Sequence, residues 1–304
     1  MPSPSVAERP APARAATPSP IMRHLPEYLM EAALLGLFMI SACTFTVLLQ
    51  HPASPVRGAI PDPFARRLLT GLAMGATAVL LIYSPWGKQS GAHMNPAITL
   101  TFTRLGKVAP RDALFYMVAQ FAGGLAGVLI ARTALGGRLA HPSVDYAATL
   151  PGRWGAPVAF LAEAAISCLL VLVILSVSNH PHRAMYTGLC AGLLVAAYIT
   201  VEAPVSGMSM NPARSFGSAF FAGNWTALWI YFTAPLLGML AAAQLYLARR
   251  GPQGVACAKL HHQNSKRCIF CEYHGGGNHS PSPDIIGPIV RAPFRSATGQ
   301  GDRG

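Results

Sequence analysis

SGAHMNPAIT (residues 90–99) returns 116 residues later as SGMSMNPARS (residues 206–215), with Ser, Gly, Met, Asn, Pro and Ala at identical offsets. Asn is a favoured helix N-cap and Pro suits the first helical position, so each copy marks a helix start. Each start is followed by a run of only about ten apolar residues, which as a helix rises ~15 Å. A bilayer core is ~30 Å thick. Two such pieces meeting end to end from opposite faces would together make one crossing. A single MNPA is an ordinary capped helix; two copies, each ahead of a half-length helix, are far more specific.

The surroundings are those of a membrane protein. Of 304 residues, 52% are hydrophobic and 11% charged, against about 25% charged in a soluble domain. Long apolar stretches occupy about 27–50, 67–84, 112–131, 157–178, 184–202 and 225–248, each near the ~20 residues that one crossing requires. The net charge of +12 does not point to nucleic acid, because the basic residues lie in loops and tails. With six crossings and both termini cytoplasmic, the inner segments hold 16 of the 23 Lys and Arg residues, the sign expected from the positive-inside rule. No apolar run with a cleavage site opens the chain. The Pro-rich residues 1–24 read as a disordered tail, 25–248 as the membrane domain and 249–304 as a cytoplasmic tail.

The repeat extends beyond the decapeptide. Glu31 lies in the first span (LMEAALLG) and Glu163 in the fourth (LAEAAISC). Three crossings invert a unit, so the second copy must run opposite to the first, around a site at the bilayer midplane. Gly71/Gly75, Gly123/Gly127 and Gly188/Gly192, with Gly238/Ala242 as a small-residue equivalent, would let helix backbones approach closely in lipid. The fold class is therefore all-α membrane: six transmembrane helices plus two re-entrant half-helices in an inverted repeat.

With both NPA boxes, Glu31, Glu163, Gln120 in VAQFAGG, and Arg214 directly after the second box, the sequence resembles the aquaporin, or major intrinsic protein, family over about residues 25–248. The resemblance implies a right-handed bundle, one pore per chain in a homotetramer, and a passive channel without catalytic residues or a required cofactor. Asn95, Pro96 and Ala97 would meet Asn211, Pro212 and Ala213 at the bilayer centre. There two helix N-termini each place about +0.5 charge. Exclusion of protons and ions by half-helix dipoles and an arginine is the established behaviour of aquaporins. By resemblance, Glu31 and Glu163 hold the re-entrant loops, and His93 either lines the vestibule or braces its loop.

The resemblance also implies a constriction of four residues: Arg214, Ile199, Met208 and either Met74 or Gly75. Strict water channels carry His where Ile199 stands, whereas glycerol facilitators carry Asp where Ser215 stands. The expected function is a channel for water and possible small neutral solutes, with a glycerol-type facilitator as the alternative. Coupled transport would need an ionisable relay, and Glu31, Glu163, Arg214 and, at a span end, Glu202 do not form one. Nor is there a nucleophile–base set, phosphate loop or cofactor fingerprint of an enzyme. The partners implied are water, small neutral solutes and the lipid of a plasma or bacterial inner membrane.

One segment falls outside this pattern. Residues 257–274 read CAKLHHQNSKRCIFCEYH. Cys257, Cys268, Cys271 and His274 are four potential zinc ligands in a tail with little core of its own. A metal knuckle is one expectation, and a disordered tail with incidental or redox-active thiols is the other.

Overall fold

The computed structural model describes residues 20–272. Its helices are α1 (Pro20–Gln50), α2 (Pro55–Ala59), α3 (Pro63–Tyr83), α4 (Pro85–Ser90), α5 (Pro96–Arg104), α6 (Pro110–Leu135), α7 (Gly155–Ser178), α8 (Thr187–Val201), α9 (Ala203–Ser206), α10 (Pro212–Ala222) and α11 (Leu228–Arg250). Among the described residues, six helical stretches are long and apolar enough to cross a membrane: Ile21–Gln50, Pro63–Tyr83, Pro110–Arg138, Gly155–Ser178, Ala184–Val201 and Leu228–Arg250. Leu80, Leu161 and Val201 on three of them are 66–71% exposed, which suits contact with lipid. A helix pairs its backbone groups internally, as hydrocarbon requires, and only Pro26 in α1 and Pro235 in α11 interrupt that pairing inside a span among the described residues.

The ends of the chain differ from expectation. Residues 20–24 are helical rather than disordered, because α1 starts at Pro20, about two turns before the apolar run. His24 Nδ1 lies 2.9 Å from Asp112 Oδ1, and Tyr28 OH donates to the same oxygen at 2.6 Å. Both contacts tie the polar start of α1 to the start of α6. Residues 1–19 and 273–304 lie outside the described residues, so the expectations for them stay untouched. Residues 255–271, by contrast, pack against the bundle.

Helices α1 and α6 pack together, as do α7 and α11, the same pairing in each half; α3 and α8 join the halves. Each half-helix is handed to the opposite half, α5 onto α11 and α10 onto α6. Small residues set these distances. A Cβ on Gly127 would sit 2.4 Å from Gly36 O, and one on Gly238 would sit 2.1 Å from Ala164 O. The spacings Gly71/Gly75 and Gly188/Gly192 meet across a single interface, α3 against α8. There a Cβ on Gly75 would lie 2.5 Å from Gly192 O. No side chain fits such gaps, and dispersion across them holds helices together where lipid supplies no hydrophobic drive.

Helices α5 and α10 have 9 and 11 residues. Their rises are about 14 and 17 Å, so together they match one ~30 Å hydrocarbon core. They leave the two faces through tight descents. Helix α4 ends at Gly91 (φ 104°) and α9 at Gly207 (φ 82°), both left-handed. Ala92, Met94, Met208 and Met210 then also take positive φ between 47° and 56°. Such backbone is strained for non-glycine residues and persists only where surrounding bonds hold it.

Candidate functional site

Those bonds come from buried carboxylates. Glu31, fully buried in α1, accepts from Ser90 Oγ at 2.7 Å, His93 N at 3.0 Å and Met94 N at 2.6 Å. Glu163, fully buried in α7, accepts from Ser206 Oγ, Ser209 N and Met210 N, each at 2.7 Å. The two sets match residue for residue at the motif's offset. Tyr116 OH donates to Ser90 O at 2.7 Å and Tyr231 OH to Ser206 O at 2.5 Å, a second brace of the same kind. A carboxylate surrounded by N–H and O–H donors is stabilised without a counter-cation. The strained loops thereby gain a fixed shape.

The motif asparagines do two things each. Asn95 is an extended N-cap whose Oδ1 accepts from Ala97 N at 2.9 Å. Asn211 Oδ1 accepts from Ala213 N at 3.1 Å and Arg214 N at 3.2 Å. Their amide groups cross over. Asn95 Nδ2 donates to Met210 O at 2.6 Å and Asn211 Nδ2 to Met94 O at 2.7 Å. Pro96 and Pro212 open the half-helices and are buried with Ala97 and Ala213.

A cavity of about 360 Å³ runs past this crossing. Both asparagines line it, as do Arg214, Ile199, Met208 and Met74. Gly75 does not; it faces α8 at the close approach described above, which separates it from the other candidate of the pair. The Nη1 atom of Arg214 is buried without a hydrogen-bond partner among the described residues, while the side chain as a whole is half-buried on the cavity wall. Thr70, Ala78 and Ile82 continue the Met74 stripe along α3 at four-residue steps. Helical periodicity from Met74 would have found them. The braces Tyr116 and Tyr231 were legible only as tyrosines at nearly the repeat spacing.

The copies differ beside the asparagines. His93 is buried, with Nδ1 3.1 Å from Thr99 Oγ1 and Nε2 2.9 Å from Ala258 O in the C-terminal segment. It both lines the cavity and braces its loop. The second copy has Ser209 there, with Oγ 2.5 Å from Ser215 Oγ. Gln120 Nε2 adds a fourth donor to Glu31 at 2.9 Å.

A family model described as Major intrinsic protein matches residues 23–246. The chain belongs to that family. Among curated major intrinsic proteins it is 38% identical over 176 residues to Aquaporin NIP1-4 of Oryza sativa subsp. japonica, covering 58% of this chain and 62% of that one. It is 34% identical over 183 residues to Aquaporin Z of Rhodopseudomonas palustris, covering 58% and 76%. To Glycerol uptake facilitator protein-like 6 of Lactiplantibacillus plantarum it is 35% identical over 184 residues, covering 58% and 82%. The chain spans 59–62% of the length of the plant relatives it matches. The X-ray structure of the aquaglyceroporin from Plasmodium falciparum shares the fold at a TM-score of 0.61 and 21% identity, covering 73% of this chain and 95% of that one.

The C-terminal segment brings three of the four expected ligands together with His262. One ligand atom each of Cys257, His262, Cys268 and Cys271 falls within 4.8 Å of all the others. The expected His274 lies outside the described residues, and His262 takes the fourth place. Hydrogen bonds from Cys257 and Cys268, then from His262, hold the Cys271 thiol well below its ordinary range.

Proposed function

We propose that this chain is a passive membrane channel for water and small neutral solutes that excludes ions and protons. The supporting observation is the crossing of Asn95 and Asn211 on the wall of one continuous cavity. Two half-helix N-termini meet there, each carrying about +0.5 charge at its free N–H groups. A cation at that depth meets two positive poles and no carboxylate on the cavity wall. Water can still accept hydrogen bonds from donors along the cavity, and its reorientation between the opposed dipoles breaks a proton wire.

In this reading Arg214, Ile199, Met208 and Met74 form the selective rim. Three of the four are apolar and without a ring, so a neutral solute larger than water meets little polar demand. That chemistry, with relatives named both aquaporin and glycerol uptake facilitator, supports water as the principal permeant with smaller flux of compact polyols. The basic bias supports chain ends on the cytoplasmic face, and the exposed apolar sides suit lipid and sister chains of a homotetramer.

Stopped-flow light scattering of proteoliposomes tests it, first with sucrose and then with glycerol as osmolyte. Fast water flux is expected from the family module ending at Arg250, with the full chain measured beside it. Slower but measurable glycerol entry should accompany it. No water flux from either form overturns the channel reading; glycerol entry as fast as water favours the facilitator.

A further inference from the structure

We propose that Cys257, His262, Cys268 and Cys271 bind one zinc ion, and that the bound ion locks residues 255–271 as a plug in the pore mouth beside His93. The plugging half rests on the channel reading above; the metal site does not.

The ligand geometry supports the first half. Cys257 Sγ and Cys268 Sγ are 3.5 Å apart, and Cys271 Sγ and His262 Nε2 are 3.8 Å apart. Zinc bonds of ~2.0–2.3 Å in a tetrahedron put ligand atoms ~3.5–3.8 Å from one another. A disulfide would need ~2.05 Å, and the described cysteines are free. Three thiols and an imidazole, bound as thiolates with release of their protons, make a closed structural site with no open position. The order C-x4-H-x5-C-x2-C joins a short Cys-x2-Cys turn to the extended run that carries Cys257.

The placement supports the second half. Val255, Ala258 and Leu260 are buried in one apolar cluster with Ala92, Ile98 and Phe102 of the first re-entrant loop and half-helix. Leu260 N donates to Gly91 O at 3.1 Å, and the His93 ring contacts Ala258 O as described. Phe270 stacks on His93 with centroids 5.5 Å apart and planes 1° apart. Leu260 is itself a wall of the cavity. Arg267 grips the fully buried Glu27 of α1, Nε to Oε1 at 2.7 Å and Nη2 to Oε2 at 2.5 Å, a bidentate pair with fixed orientation. Lys259 Nζ donates to Arg267 O at 2.6 Å, which ties the extended run to the same turn the ion would cross-link.

So short a segment has too little core to hold its shape alone. An ion that cross-links Cys257 to the Cys-x2-Cys turn would pre-form the face that presents Leu260, Phe270 and Arg267 together. Losing the ion would free each contact to be made or broken separately, shifting the segment toward the undocked state.

The test uses the full chain in proteoliposomes. Elemental analysis should find one zinc per chain, lost in Cys268→Ser/Cys271→Ser and in His262→Ala but kept in His274→Ala. Cobalt(II) in its place should give the absorption of a tetrahedral thiolate site. Water permeability should rise on the order of tenfold in the double variant, on chelation, and in the chain ending at Arg250. Arg267→Ala should raise permeability while keeping its zinc, which separates docking from metal binding and from misfolding. Less than substoichiometric zinc in the unmutated chain, or zinc kept in His262→Ala and lost in His274→Ala, overturns the site. Zinc bound with permeability unchanged by its removal overturns the plug. If the form ending at Arg250 is also closed, the channel reading fails and the plug with it, while the zinc content still decides the ligand set.

Discussion

Asn95 and Asn211 each donate an amide hydrogen to the carbonyl just before the other, at Met210 and Met94, over 2.6 and 2.7 Å. Each asparagine therefore caps its own half-helix and clamps the other's loop. The two halves of the molecule cannot separate at the centre without losing both bonds and leaving buried polar groups unsatisfied.

Asn211→Ala removes the cap on Ala213 and Arg214 together with one clamp. The lost cap costs about 1 kcal/mol, and the orphaned Met94 carbonyl about 1–3 kcal/mol more. A lower melting temperature in detergent and a sharp loss of water permeability are expected. A variant that melts and conducts like the parent would show that the crossing is incidental.

Glu163→Gln keeps the size of the side chain but points an NH2 at donors it cannot accept from. One of the bonds to Ser206, Ser209 or Met210 becomes a donor–donor conflict, at a cost of about 1–3 kcal/mol. Thermal unfolding should start lower, and reduced yield of folded protein should accompany it. Gln120→Ala, which removes one of four donors from Glu31, should have the milder effect. Equal losses from the two variants would contradict the assigned roles.

Arg214→Val takes a guanidinium and its positive charge off the cavity wall. Glycerol entry should rise, and proton leak, followed with a pH dye inside the vesicles, should rise as well. Water flux should persist. An unchanged solute and proton profile would remove Arg214 from the selective rim.

Gly75→Ala would put a methyl group 2.5 Å from Gly192 O. Forcing α3 from α8 should destabilise by about 1–3 kcal/mol, read as a lower melting temperature. Gly137→Ala, where a Cβ meets nothing within 4 Å, serves as the control and should melt with the parent. Matching melts for both would mean that the close approach carries no weight.

Much of this molecule can be read along the chain because lipid and local backbone rules act on short segments. A crossing must satisfy its own backbone, so each span declares itself by length and apolarity. Asn followed by Pro caps a helix wherever it occurs, and its return after three spans implies inversion. The carboxylates Glu31 and Glu163 also announce themselves, since neither would be tolerated in hydrocarbon without donors around it.

Read along the chain alone, the six spans, the paired half-helices and the inversion of the second half are legible, while the meeting of Asn95 with Asn211 rests on the family resemblance. Folding alone turns Met74 onto the cavity wall and the adjacent Gly75 onto α8, because the two meet different neighbours on either side of α3. It alone brought His262 to the three thiols, and it joined Glu27 to Arg267 across 240 positions. Such contacts depend on where a polar tail folds back, and neither helical period nor capping chemistry constrains that. The difference is one of range: hydrophobic matching and capping act within a turn or a span, whereas docking is settled by surfaces that exist only once the bundle has formed.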